Sequence, residues 1–489
     1  MSLIQIKNLS FTHDGSYLPV FENLSLQFDT NYKTALIGRN ARGKTTLLKI
    51  LNNELDYQGE IIKKCACHYF PYHVKNENLL TIDICYEIAP LIEQWQLERE
   101  LRLLEVDPYD IFYRPYCTLS KGEQTKVILA VLFFWQGDYL LIDEPTNHLD
   151  QQSRHVVANY LKKQKGFLLV SHDREFIDIC CDHVIAMNPT SIDIEAGNFS
   201  SWYQQKMKAD EKEIEKNIKL KKEINRLEKS RRQTENWSHL VEKSKRGAAD
   251  KGYVGHMAAK MMKRSKNIEK RKNETIQEKK DLLKDVEEYE DLSMHPLDYF
   301  QNYLIRLSHV SLGYDDRILI PDLSLDICVH DRILLKGKNG CGKSSLIKLI
   351  LSQDKRVDKS SHLKIAYAPQ DCSYLKGKLN DYINEHEVDE TLVKTILRKF
   401  GFRRDDFEIL LENMSEGQKK KVALAIAIAT PAHLYIFDEP LNYLDIFARI
   451  QLEKVVLKDQ PTILFVEHDT YFQEKIMTKV VNFDELFDK

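Results

Sequence analysis

At 489 residues the chain is too long for one hydrophobic core, and its 43% apolar and 30% charged content is that of a globular protein rather than a disordered or fibrous one. No apolar run reaches the eighteen or so residues of a membrane helix, and the opening MSLIQIKNLSF lacks a secretory signal's layout, so a cytoplasmic protein with no membrane partner is expected. The net charge is only −3, and nine cysteines without a CxxC pair read as reduced thiols, with CACH at 65–68 read as a buried strand.

In chain order, the first chemical signal is LIGRNARGKTTLLKIL at 36–51, a glycine-rich loop opening a helix. Gly38, Asn40, Gly43, Lys44, Thr45 and Thr46 form a phosphate cradle, in which glycines let backbone N–H groups approach phosphates and the lysine reaches the outer oxygens. The Thr45 hydroxyl suits a magnesium ion. LSKGEQTK follows at 119–126, then YLLIDEPTNHLD at 139–150, an apolar strand ending in Asp143 and Glu144. An aspartate for the metal and a glutamate to polarise a water are what phosphoryl transfer still needs. LLVSHDREF at 168–176 places His172 after another apolar strand, within reach of a terminal phosphate.

All four motifs recur. KGKNGCGKSS supplies Gly337, Asn339, Gly340, Gly342, Lys343, Ser344 and Ser345, MSEGQKKK begins at 414, LYIFDEPLNYLD holds Asp438 and Glu439, and LFVEHDTYF holds His468. Offsets of 299, 295, 295 and 296 residues in one order mark an internal duplication. Short apolar runs separated by helix-period segments predict that each copy is an α/β unit with a mostly parallel sheet. The expected domains are 1–195, an intervening segment 196–302, and 303–489.

That middle segment has another composition. Residues 201–280 hold 24 Lys plus Arg against 12 Asp plus Glu, and no proline occurs between Pro189 and Pro296. Dense helix formers predict two long antiparallel helices of about 38 residues, a lever of roughly 57 Å, with a glycine-containing tip near 243–260. Lys243, Lys245, Arg246, Lys251, Lys260, Lys263 and Arg264 make a footprint for a phosphate backbone, and Tyr253 and His256 can stack on unpaired bases. A solvated charged coiled coil serving only as a spacer is the alternative.

The paired cradles, LSKGEQ and MSEGQK, and the DE and HD motifs resemble the ATP-binding cassette superfamily over nearly all of both copies. The resemblance implies two tandem P-loop cassettes joined by an α-helical hairpin, an ATPase using ATP and Mg2+, and an intramolecular cassette dimer in a monomeric chain. It further implies that Ser120 and Gly122 cap the nucleotide held by Lys343, and Ser415 and Gly417 the one held by Lys44. Gln370 matches the family's glutamine loop and a further metal contact, and Tyr314 its adenine-stacking aromatic. The first copy departs there, with Tyr72 and His13 at the corresponding positions, so the two sites are expected to be unequal.

Cradle and signature are only 76 and 72 residues apart, unlike DNA-repair cassettes with coiled coil inserted at that point, and the insert lies between cassettes instead. That layout is similar to the ABC-F family, and most to its antibiotic-resistance branch, of the type acting on lincosamides, streptogramin A and pleuromutilins. Such proteins bind the E site of the 70S ribosome and push the tip towards P-site tRNA and 23S rRNA, so a ribosome-associated protein that displaces drugs, with ATP hydrolysis driving release, is the expectation. A housekeeping translation factor rescuing stalled ribosomes is the alternative within the family; a cassette ATPase acting on DNA or with a membrane partner is the alternative outside it.

Overall fold

The computed structural model describes residues 3–13, 19–40, 42–135, 138–147, 149–188, 192–243, 292–314, 317–338, 340–352 and 354–487, with Lys263, Ile268, Lys270, Arg271 and Thr275. One compact unit comprises Met1–Ser200 and Asp291–Lys489 and contains both α/β repeats; Ser201–Glu290 form the other.

In the first repeat the central sheet runs Cys67–Phe70, Tyr139–Asp143, Phe167–Val170, Lys33–Gly38, His183–Met187, Ile192–Ala196, all pairs parallel except the last. Tyr139–Asp143 and Phe167–Val170 are buried at every position, which is why they read as unbroken apolar runs rather than as alternation. The second repeat repeats the order with Ile365–Ala368, Leu434–Asp438, Ile463–Val466, Arg332–Lys336 and Lys479–Asn482, all parallel. The cradle helix and the DE strand therefore emerge at the same carboxyl edge of each sheet, where a parallel α/β fold places its ligands.

Each repeat also carries a three-stranded antiparallel sheet, ordered Phe21–Asp29, Leu3–Phe11, Gln58–Ile62 in the first and Arg317–Cys328, Tyr303–Tyr314, Val357–Lys359 in the second. Ile4, Ile6 and Leu9 from Leu3–Phe11 pack with Leu47, Leu48 and Leu51 of the cradle helix, so this sheet braces the cradle from behind. Leu304, Ile305 and Leu307 do the same for Leu346, Ile347 and Ile350. The helical side of the second repeat has its own core, where Val422, Leu424 and Ile428 of the signature helix meet Ile396, Phe400, Tyr435 and Phe437.

In the linker, Phe199–Lys243 is one continuous helix of 45 residues, longer than expected because no proline or glycine interrupts it from Phe199 onward. At 1.5 Å per residue it extends roughly 68 Å. The expected returning helix and tip fall outside the described residues, apart from isolated helical positions such as Lys263 and Arg271.

Candidate ATP sites

The first cradle begins where strand Lys33–Gly38 ends. Gly43 caps helix Lys44–Leu51 in the left-handed region, φ 89°, with no side-chain cap, so the first N–H groups of the helix are not claimed by a capping side chain. A Cβ at Gly43 would lie 2.6 Å from Val20 and 2.7 Å from Phe21, so only glycine fits. Lys44 folds back over the loop, its ammonium donating to the carbonyls of Gly38 (2.7 Å) and Arg39 (3.1 Å). Gly342, φ 105°, and Lys343, bonded to Gly337 O (2.6 Å) and Lys338 O (2.9 Å), repeat the arrangement. Gly340 has φ 81°. The Thr45 and Ser344 side chains are exposed at the first helical turn, while Thr46 and Ser345 are more enclosed.

Asp143 and Asp438 end their strands, and the Tyr69 hydroxyl donates to Asp143 Oδ2 at 3.0 Å. Glu144 and Glu439 follow at φ 50° and 51°, a conformation costing a non-glycine residue about 1 kcal/mol or more, and both backbone N–H groups bond across to the next strand, at Val170 O and Val466 O. The bend turns each carboxylate towards a histidine: Glu144 Oε1 lies 3.4 Å from His172 Nε2, and Glu439 Oε1 3.8 Å from His468 Nε2. Burial, followed by the neighbouring Asp143, holds the Glu144 carboxyl well above the usual carboxylate range, and Glu144 Oε1 is buried with no donor bonded to it. Burial, then the Lys44 ammonium, pushes His172 well below the ordinary imidazole value, so it is neutral. In the second repeat Asn442 Nδ2 donates to Glu439 Oε2 at 2.6 Å.

The signature serines cap their helices. Ser120 accepts from Glu123 N (3.2 Å) while the Glu123 carboxylate accepts from Ser120 N (2.8 Å), and Ser415 and Gln418 form the same reciprocal box. Gly122 and Gly417 lie in the first turns; a Cβ at Gly417 would sit 3.1 Å from that of Tyr443.

A cleft of about 710 Å³ brings Asn40, Glu144 and His172 of the first repeat together with Ser415, Gly417 and Lys421 of the second. Across it Asn40 N donates to Asp445 Oδ2 (3.0 Å) and Asn40 Nδ2 to Tyr443 O (3.1 Å). His468 lines a separate small cavity of about 10 Å³ with Gln151, Arg154 and Asp173 of the first repeat. Ser120 is exposed at the head of its helix, where its Oγ also donates to Glu123 Oε2 at 2.9 Å. Gln370 is exposed beside Pro369, Tyr72 is 38% exposed, and His13 Nε2 lies 3.4 Å from Thr46 Oγ1. Asn339, the Tyr314 and Lys243 side chains, and Lys245, Arg246, Lys251, Tyr253, His256, Lys260 and Arg264 lie outside the described residues; Lys263 is helical and exposed.

Several participants escaped the sequence reading. Arg154 bonds Asp173 (3.2 Å) and Arg449 bonds Asp469 (3.1 Å), each arginine also donating to the chain just before its helix, at Leu149 O and Leu444 O. Both sit four residues past Asp150 and Asp445, so extending the repeat comparison beyond TNHLD and LNYLD would have found them. Asp445 itself was overlooked because its role depends on the other repeat. Among the described residues no group of three or more His, Cys, Asp or Glu forms a metal cluster, and no helix is long and apolar enough to cross a membrane.

The family described as ABC transporter matches residues 21–147 and again 320–442. The chain is 30% identical to the ATP-binding protein Uup of Buchnera aphidicola (subsp. Schizaphis graminum), over 98% of this chain and 80% of the relative. It is 28% identical to the ribosome protection protein VmlR of Bacillus subtilis, over 93% and 82%. Its fold is similar to the archaeal ribosome recycling factor aABCE1, seen in a crystal structure with the ribosomal stalk protein aP1, with a TM-score of 0.62 at 17% identity over 97% of this chain and 86% of that one. With two matched cassettes and relatives matched over more than nine tenths of it, the chain belongs to the ATP-binding cassette family and is an ATPase of the tandem, ABC-F type.

Proposed function

We propose that this ATPase is a ribosome protection protein that binds the 70S ribosome from the E site in its ATP-bound, closed form, and extends its basic linker towards P-site tRNA and 23S rRNA to displace peptidyl-transferase drugs. The observation carrying this reading is the combination of a cleft built from both repeats with a net charge of +12 over residues 201–280 in a chain of −3 overall. The first makes cassette closure depend on nucleotide; the second gives the moving part an affinity for phosphate backbone. The relative named as a ribosome protection protein supports the same assignment.

In this reading Lys44 and Lys343 leave the loop carbonyls to grip ATP phosphates, and Ser415 with Gly417, and Ser120 with Gly122, close on the nucleotide from the opposite repeat. Glu144 and Glu439 orient the attacking water, and the neutral His172 and His468 contact the terminal phosphate. Tyr314 stacks on adenine in the second site. The exposed hydroxyls at the head of each cradle helix and the strand-end aspartates fit a magnesium ion: Thr45 and Asp143 would hold it in one site, Ser344, Asp438 and Gln370 in the other, and it supplies charge neutralisation on the phosphates. The domain limits are taken as 1–195, 196–302 and 303–489, with the linker tip at 243–260 making the RNA contacts.

The test is expression in a susceptible bacterium, with inhibitory concentrations for a lincosamide, a streptogramin A and a pleuromutilin, and co-sedimentation of the protein with ribosomes. Raised inhibitory concentrations with ATP-dependent co-sedimentation are expected. Co-sedimentation without protection from any drug would make a factor that rescues stalled ribosomes the better reading, one that the likeness to a ribosome recycling factor favours.

A further inference from the structure

The repeats diverge at two buried positions that none of the shared motifs explains. In the signature helix Glu416–Ala429, Lys420 is 3% exposed and its ammonium donates to Pro369 O and to Asp438 O, each at 2.6 Å. Pro369 immediately precedes Gln370, and Asp438 immediately precedes Glu439. At the end of strand Ile463–Val466, Glu467 is 6% exposed and its carboxylate accepts from Leu441 N (3.1 Å), His468 N (2.7 Å) and Asp469 N (3.3 Å).

The corresponding residues of the first repeat, at the offsets of the surrounding motifs, are Thr125 and Ser171. Ser171 makes a smaller, uncharged version of the second arrangement: its hydroxyl accepts from Asp173 N (3.1 Å) and pairs with Thr146 Oγ1 (3.3 Å). A threonine has no arm long enough to bridge two carbonyls as Lys420 does. The second repeat thus adds one buried cation and one buried anion together, leaving its net charge unchanged, and Lys420 lies within electrostatic reach of both Glu439 and Glu467. Each charge carries a desolvation penalty, offset for Lys420 by its two carbonyls and for Glu467 by three backbone N–H donors and the Arg449 guanidinium.

Every bond these two side chains make goes to the main chain beside a group of the second ATP site. We infer that Lys420 and Glu467 are a paired set of positioning residues for hydrolysis in that site: Lys420 ties the glutamine loop to the strand end that aims Glu439, while Glu467 fixes the backbone of His468 and of the turn after Glu439. In the first site Ser171 holds the corresponding turn through neutral contacts, and Thr125 is too short to bridge two carbonyls, so the two sites differ in how firmly their water-orienting groups are held. The inference rests on the assignment of Glu439 and His468 to the second site made above.

Steady-state ATPase kinetics on the full chain test it. Lys420→Thr and Glu467→Ser should each lower kcat by roughly fivefold to tenfold with KM for ATP moving less than about twofold, because neither touches the Lys343 cradle. The double exchange, which installs the first repeat's own pair, should recover kcat to within about threefold of the parent. On a Glu439→Gln background Lys420→Thr should add less than about twofold, since its effect passes through Glu439. Lys420→Gln, retaining an amide donor of shorter reach, serves if Lys420→Thr does not fold, and should lose about threefold in kcat. Parent kcat in the single variants, a KM effect with kcat intact, no recovery in the double variant, or full additivity with Glu439→Gln would each overturn the inference. Unchanged turnover in Glu439→Gln alone would instead refute the site assignment beneath it.

Discussion

Arg174 of the first repeat donates through both terminal nitrogens to the carboxylate of Glu453 in the second, and both side chains are buried. The guanidinium also lies 4.5 Å from the centre of the Tyr471 ring, and Lys475 reaches the same carboxylate at 3.5 Å. Arg174 directly follows His172 and Asp173, so the contact anchors the histidine turn of one repeat to helix Ile446–Asp459 of the other. It is one-sided: the matching positions are Thr470 and Ala158, and on that side Thr470 Oγ1 bonds Glu175 instead. The repeats are therefore held more firmly at one edge of their interface.

Removing one partner of a buried ion pair strands the other, so Arg174→Ala should cost about 3 kcal/mol in the nucleotide-free protein, and Glu453→Ala a similar amount. Arg174→Met combined with Glu453→Leu should recover most of that loss by replacing charge with packing. Thermal unfolding of the three variants checks this; equal melting temperatures for Arg174→Ala and the parent would show the pair to be energetically idle.

Glu144→Gln with Glu439→Gln should lower ATP turnover by roughly 100-fold or more while leaving nucleotide binding intact, because both lysines and the cradle backbones survive. The two single variants should differ, since Tyr72 stands where the second site has Gln370, His13 where it has Tyr314, and Asn442 bonds Glu439 directly. Phosphate release and fluorescent-nucleotide binding measure both effects, and identical kinetics for the single variants would remove the basis for unequal sites.

Glu144 also makes stability depend on pH. Burial raises its folded-state value above its unfolded one, so the folded chain holds the proton more tightly. The stabilisation this gives is complete below the ordinary carboxylate range and is lost as pH rises through the raised folded value. Glu144→Gln, which cannot ionise, should then melt higher than the parent, with a gap that widens between about pH 5 and pH 9. Melting curves of nucleotide-free protein across that range check the sign, and a gap that narrows with rising pH would contradict it.

Shortening GAADKGYVGH at 247–256 should abolish drug protection while ATP hydrolysis continues, because the two repeats have cores of their own. Charge reversal at Lys243, Lys245 and Arg246 should weaken ribosome binding and flatten its dependence on salt, each lost phosphate contact releasing about one counterion fewer. Lys212→Gln on the stem should do far less. Growth in the three drug classes alongside ATPase rates decides the matter: protection that persists without the tip would exclude the mechanism proposed above.

The sequence alone determined the duplication, the α/β class, both cradles and the strand-end carboxylates. These are local: a glycine at Gly43 or Gly342, a lysine next to it and an apolar strand ending in Asp-Glu each carry their geometry within a few residues, and two copies at nearly one offset remove coincidence. The long helix was legible for the same reason, since its formers and its lack of proline act residue by residue, although its 45-residue length was not, because the point where a helix begins depends on what caps and packs it. Only the tertiary structure decided which side chains face one another across the repeats. Arg174 with Glu453 and Asn40 with Asp445 meet in this way, and within the second repeat Lys420 meets the carbonyls of Pro369 and Asp438, over separations of 18 to 405 positions. Two of these three, as well, have no counterpart in the other repeat. Periodicity and spacing report what a segment does for itself; which buried charge meets which partner follows from how two sheets and their helices pack, and that packing is where the two copies stop being equivalent.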